Sequence, residues 1–124
     1  MPYISKEEVK NIRESLKKEF GKTIKFSVTK RDSNEVCVAI LESVEDFSDI
    51  LESKDRKYTQ LNTFYLGNYG ENHFKTLSKI MEIIQKVGNH KNCEFEDADY
   101  GNIPTFYISL DIGKWDKDWK IKEV

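Results

Sequence analysis

Between Thr105 and Ile112 the side chains alternate. Phe106, Ile108, Leu110 and Ile112 are apolar, whereas Thr105, Tyr107, Ser109 and Asp111 are polar or amphipathic. Successive side chains of a strand point to opposite faces, so this period-two run reads as a half-buried strand with one dry face and one wet one. An acidic, aromatic segment ending in Asp99-Tyr100 leads into it, and Gly113-Lys114-Trp115-Asp116-Lys117 leads out. A chain with such a strand must also supply a sheet for it and an apolar layer over its dry face.

The rest of the sequence supplies both. Ile24, Phe26 and Val28 alternate with Lys25, Ser27 and Thr29, which predicts a strand with one wet face. Arg31-Asp32-Ser33-Asn34 is a turn by composition. Glu35 to Leu41 is apolar on both faces, so it belongs at the centre of the sheet and forms a hairpin with its predecessor. Tyr58 to Leu66 is rich in β-formers and reads as a third strand, stopped at Gly67-Asn68-Tyr69-Gly70. Residues 43–57 read as a long excursion with one or two turns of helix around Phe47, Ile50 and Leu51. The connection from His90 to Asn102 is polar.

Two amphipathic helices provide the cover. Ser5 and Glu8 have the spacing of a capping box, with Ile4 and Val9 placed as a hydrophobic staple. Val9, Ile12, Leu16 and Phe20 then follow at helical spacing. This predicts a helix over residues 6–20, closed by Gly21 in a left-handed conformation. Asn72 is placed to cap a second helix, whose stripe is Phe74, Leu77, Ile80, Met81, Ile84 and Val87, ending at Gly88-Asn89. The order α-β-β-β-α-β predicts an α+β fold, a mainly antiparallel sheet with both helices packed on one face. Its 124 residues make one domain, 1–124, which buries roughly two-thirds of its extended-chain surface without staples.

Charge narrows the class of partner. The net charge is −2, but residues 1–31 carry a balance of +5, residues 32–62 of −5 and residues 63–124 of −2. A dedicated nucleic-acid binder is more basic overall, and a DNA mimic more acidic. The two cysteines, Cys37 and Cys93, and the absence of a leader-like start predict reduced thiols in a cytoplasmic protein. No apolar run is long enough to span a bilayer, so no membrane partner is expected.

Four constellations bear on chemistry. Glu94, Glu96, Asp97 and Asp99 crowd carboxylates ahead of the last strand, as a divalent cation would need, but without the spacing of a calcium loop. A solvated acidic segment, or a patch for a basic partner, is the plainer account. His90 and Cys93 supply two of the four ligands of a structural zinc, with no second pair. Lys6, Lys10, Arg13, Lys17 and Lys18 could track phosphates, yet Glu7, Glu8, Glu14 and Glu19 are interspersed among them, as on an ion-paired helix surface. No phosphate loop and no nucleophile elbow occurs. Tyr58, Phe64, Tyr65, Tyr69, Tyr100, Tyr107, Trp115 and Trp119 are suited to stacking or to anchoring an interface, or simply to covering sheet edges.

Three segments taken together resemble the large polyvalent protein-associated domains of phages and conjugative elements. They are the N-terminal unit (Val9, Ile12-Arg13, Leu16-Lys17, Phe20, then Lys25 to Val28 and Val36 to Ile40), Leu61-Asn62-Thr63-Phe64-Tyr65, and the stretch from Asp99-Tyr100 through Phe106 to Ser109 and Ile112 to Lys117. Such domains usually carry a proline soon after Gly-Lys-Trp-Asp-Lys; here Asp118-Trp119 follows, so the exit from the last strand is expected to differ. The resemblance transfers no catalytic residue.

What the resemblance implies is a setting: proteins delivered with invading DNA that protect the element or interfere with host defences. The leading expectation is therefore a non-enzymatic mobile-element protein that binds a host protein or nucleoprotein, inhibiting a defence complex of CRISPR or restriction type. Its expected contacts are Glu96, Asp97, Asp99, Tyr100, Tyr107, Trp115 and Lys117, with no cofactor and no metal. One alternative is nucleic-acid binding through Lys10, Arg13, Lys17, Lys25, Lys30 and Arg31. Another is a metal-dependent hydrolase or nuclease built on the 94–99 acids.

Overall fold

The computed structural model describes residues 2–51, 57–91, 95–97 and 101–122, the stretches 95–97 and 101–102 by their backbone. Helix α1 spans Lys6–Phe20. The Ser5 hydroxyl accepts the Glu8 N–H at 3.0 Å and the Glu8 carboxylate accepts the Ser5 N–H at 3.1 Å, a complete capping box. Val9, Ile12 and Leu16 are buried, as is Ile4 ahead of the cap. Gly21 is right-handed here, not left-handed, with φ −55° and ψ −27°. The chain leaves the helix through a tight turn, Thr23 N–H to Phe20 carbonyl at 2.9 Å, so no left-handed residue is needed.

Strands β1 (Ile24–Arg31) and β2 (Glu35–Ser43) form the expected antiparallel hairpin, with Asp32 and Ser33 at positive φ in its turn. A bulge opposite Lys25-Phe26 shifts the phase of β2. Ile40, Leu41 and Ser43 are consequently all buried, and the Ser43 hydroxyl donates to the Glu45 carbonyl at 2.6 Å while accepting the Trp119 indole N–H at 2.9 Å. The 44–51 segment that follows is held by turns, Ile50 N–H to Phe47 carbonyl at 3.0 Å, without a helix.

The third strand is far shorter than its composition suggests. β3 is Thr59–Gln60 alone. Asn62 diverts the chain: its side-chain oxygen accepts the Phe64 N–H at 3.0 Å and its own N–H donates to the Tyr69 hydroxyl at 2.8 Å. This side-chain turn competes directly with the ladder. A 3₁₀ turn over Leu66–Tyr69 leads to helix α2, Glu71–Val87. Gly70, at φ +98°, occupies the cap position in place of Asn72, and its carbonyl accepts the Phe74 N–H at 2.8 Å. His73, Leu77, Ile80 and Ile84 form the buried stripe of α2, and Asn89, at φ 53°, turns the chain beyond it.

Part of the polar 90–102 connection is a ribbon: β4 (Phe95–Asp97) pairs antiparallel with β5 (Gly101–Ile103), placing Phe95 opposite Ile103. β6 (Tyr107–Ile112) is the alternating strand, and β7 (Lys120–Ile121) follows. The main sheet runs β1-β2-β6-β3, with β7 beside the end of β2. The class is α+β as expected and β2 is interior, but the sheet is mixed, because β2 pairs parallel with both β6 and β7. A parallel pair needs a long crossover, and α2 is that crossover. One face of the sheet (Val28, Val36, Val38, Ile40, Leu110 and Ile112) shares a single core with the buried stripes of both helices.

Candidate functional site

The free edge of β6 and the hollow beside it are the most distinctive surface. The ladder directions follow from three bonds. Tyr107 N–H donates to the Asn34 carbonyl at 2.8 Å and Gly113 N–H to the Ile40 carbonyl at 2.8 Å, so odd-numbered residues of β6 face β2. The Leu110 carbonyl accepts the Leu61 N–H at 2.9 Å, so even-numbered residues face the other edge. β3 covers that edge only beside Asp111 and Ile112. Along Tyr107 to Ser109 no strand of the described residues lies against it.

A cavity of about 790 Å³ adjoins this stretch, in the range of ligand sites. Thr63 and Phe64 wall it on the outside, Met81, Gln85 and His90 on the helix side, and Glu35, Pro104, Phe106, Tyr107 and Ile108 along the sheet. Phe64 is 82% exposed and Tyr107 46%, so two aromatic rings flank its mouth. A smaller hollow of about 480 Å³ shares Met81, Gln85 and His90 and continues towards Glu82 and Lys86. Burial pushes the His90 imidazole below its usual range, against the pull of its bond to the Phe106 carbonyl at 3.0 Å. Neutral His90 therefore carries its proton on Nε2, and Nδ1 is covered and without a partner among the described residues.

Two other polar clusters have different characters. On the helix-free face, Ser27 and Thr29 of β1, Cys37 and Ala39 of β2, and Ser109 and Asp111 of β6 stand in register. Burial raises the Asp111 carboxyl to about 6; the Ser109 hydroxyl at 3.4 Å and Arg31 pull it back, and Glu35 adds to the rise. Burial, with Glu35 next, also pushes the Cys37 thiol up, the reverse of what a nucleophile needs.

At the start of α2, His73 is held between two carboxylates. Nδ1 meets Glu45, Nε2 meets Asp49 Oδ1 at 2.8 Å, and the Thr76 hydroxyl donates to Glu45 Oε1 at 2.5 Å. Burial works against the charged ring, but the hydrogen bonds to Glu45 and then Asp49 outweigh it, so the His73 pKa is raised. With both nitrogens engaged and Phe47 packed at 4.8 Å, His73 ties the 44–51 segment to α2.

Of the residues expected to bind a partner, Tyr107 and the pair Trp115 and Lys117 lie towards opposite ends of β6. Tyr107 lies at the cavity. Trp115, 73% exposed, and Lys117 lie in the turn beyond the opposite end of β6, about 20 Å away at roughly 3.3 Å per residue. Glu96 and Asp97 lie on β4, whereas Glu94, Asp99 and Tyr100 fall outside the described residues.

The six cations expected to track nucleic acid lie on α1 and β1. Lys10 and Lys17 are exposed on α1, while the Arg13 guanidinium donates to the Val28 carbonyl at 2.7 Å. Lys25 pairs with Glu42 at 3.6 Å, Arg31 with Glu35 at 3.5 Å, and Lys30 lies 5.3 Å from the Tyr3 ring centroid. Among the described residues, no three His, Cys, Asp or Glu side chains come together as metal ligands. None of their helices is long and apolar enough to cross a membrane.

Sequence reasoning passed over the cavity because it depends on where β3 stops. Asn62 within the β-former run was the available signal. In comparison with known proteins, no family model, no curated protein and no solved structure matches this chain.

Proposed function

We propose that this protein acts by binding a macromolecular partner, and that the contact is centred on the cavity beside β6. The observation that supports it is the pair of exposed rings, Phe64 and Tyr107, lining an apolar hollow against a strand edge that no described strand covers. Aromatic side chains around a desolvating pocket are the usual anchors of protein interfaces. The partner is a protein or nucleoprotein of the host cell, and the outcome is obstruction of a defence complex. This setting rests on the resemblance to phage and conjugative-element domains. Lys25 and Arg31 are each paired with a carboxylate and Arg13 is engaged by the Val28 carbonyl, which favours a protein partner over a phosphate backbone.

Affinity capture from host lysate, with and without nuclease, tests the reading. Wild-type protein is expected to retain a defined, nuclease-resistant partner. The Phe64→Ala/Tyr107→Ala variant should retain it about tenfold less, since truncating anchors of this kind costs 1–2 kcal/mol or more. Equal capture by the variant, or capture abolished by nuclease, overturns it.

A further inference from the structure

The bare stretch of β6 has a direction and a register that specify what can fill it. On the outward edge the Phe106 carbonyl is taken by His90 Nε2 at 3.0 Å, and the Leu110 carbonyl by the Leu61 N–H at 2.9 Å. Between them Ile108 turns its N–H and carbonyl outward, without a backbone partner among the described residues. β3 runs antiparallel with Thr59 opposite Ile112 and Gln60 opposite Asp111. Continued in that register, Thr63 would stand opposite Ile108. The Asn62 turn takes Thr63 out of line and makes it, with Phe64, the outer wall of the cavity. Among the described residues, one lane of the sheet is therefore walled but unfilled.

We propose that an extended segment of the partner polypeptide adds to this lane as a short antiparallel strand, in the place β3 leaves. This rests on the binding reading above and names its mode. A backbone in extended conformation offers one carbonyl and one N–H side by side, and in an antiparallel hydrogen-bonded pair a single residue exchanges both bonds with the residue opposite. That residue's side chain lies on the same face as Ile108, towards Met81 and Phe106, and so is aliphatic or aromatic. Its two neighbours stand on the Tyr107 and Glu35 side of the sheet and are polar or basic.

The probe is a synthetic octapeptide library in which aliphatic or aromatic positions alternate with polar ones, selected on the intact protein. Each retained peptide is then resynthesised with a single backbone N-methyl group moved along its length. Strand addition predicts a period-two response. Methylating the amide opposite Ile108 should weaken binding about tenfold, the effect of a lost hydrogen bond plus an unpaired group, while methylating either neighbour changes it less than about twofold. A response without alternation, or no peptide retained, overturns the proposal. If peptides fail while lysate capture still depends on Phe64 and Tyr107, strand addition alone falls. If that dependence is absent too, the binding reading falls with it.

Discussion

Asp111 and His73 both titrate with the fold, and in both the folded pKa lies above the unfolded one. Asp111 is half-buried on the helix-free face with Ser109 as its hydrogen-bond partner, and its carboxyl rises from 3.8 to about 6. A carboxyl raised in this way favours folding below its unfolded pKa, and that contribution is lost as pH climbs through about 6. Asp111→Asn should therefore be more stable than wild type above pH 7, by about 1 kcal/mol after allowance for partial solvent screening, with no gain near pH 4. Urea melts at both pH values measure this. His73 has the same sign for a different reason: its cation is held by Glu45 and Asp49, so its stabilisation is full below the ordinary imidazole pKa and fades as pH passes its raised value. His73→Gln should cost about 2 kcal/mol at pH 6, the scale of charged hydrogen bonds, and the gap should narrow by pH 9.

Most elements were legible because their signals are local. The capping box at Ser5 and Glu8, the stripes Val9-Ile12-Leu16 and Leu77-Ile80-Ile84, and the alternation ending in Ile112 each fix an element whatever surrounds it. The two-faced apolar run of β2 gave its interior place, because only an interior strand has apolar neighbours on every side. What was not legible depends on distance or competition. That β6 lies parallel to β2 follows from α2 carrying the chain across the sheet, which no period in the sequence records. β3 ends at Gln60 although Thr63, Phe64 and Tyr65 are good strand formers, because a side-chain turn at Asn62 wins over propensity. Tyr107, one of the expected contacts, lines the cavity, and Phe64, named among the aromatic residues but placed mid-strand, lines it because the strand stops short. His90 was weighed as a zinc ligand, whereas its bond to the Phe106 carbonyl makes it part of the cavity wall.

At the scale of the molecule, two helices cover one face of a mixed sheet, and part of the uneven charge of the sequence is paired along it. Glu42 stands between Lys25 and Lys120, Arg31 pairs with Glu35, and Arg13 anchors α1 to β1. Such exposed pairs each contribute little to stability. Among the described residues the lane beside Ile108 is left without a strand, and backbone groups and aromatic side chains face the same hollow there. Edge strands are normally blunted by charge, proline or a covering loop; here the chain turns away at Asn62 instead of continuing to pair with β6. Amide hydrogen exchange along β6 tests this most directly, with no partner needed. The amides of Tyr107, Ser109 and Asp111, which face β2, should exchange on the order of a hundredfold more slowly than that of Ile108. Equal protection at Ile108 would mean that the edge is already covered, and would contradict the account.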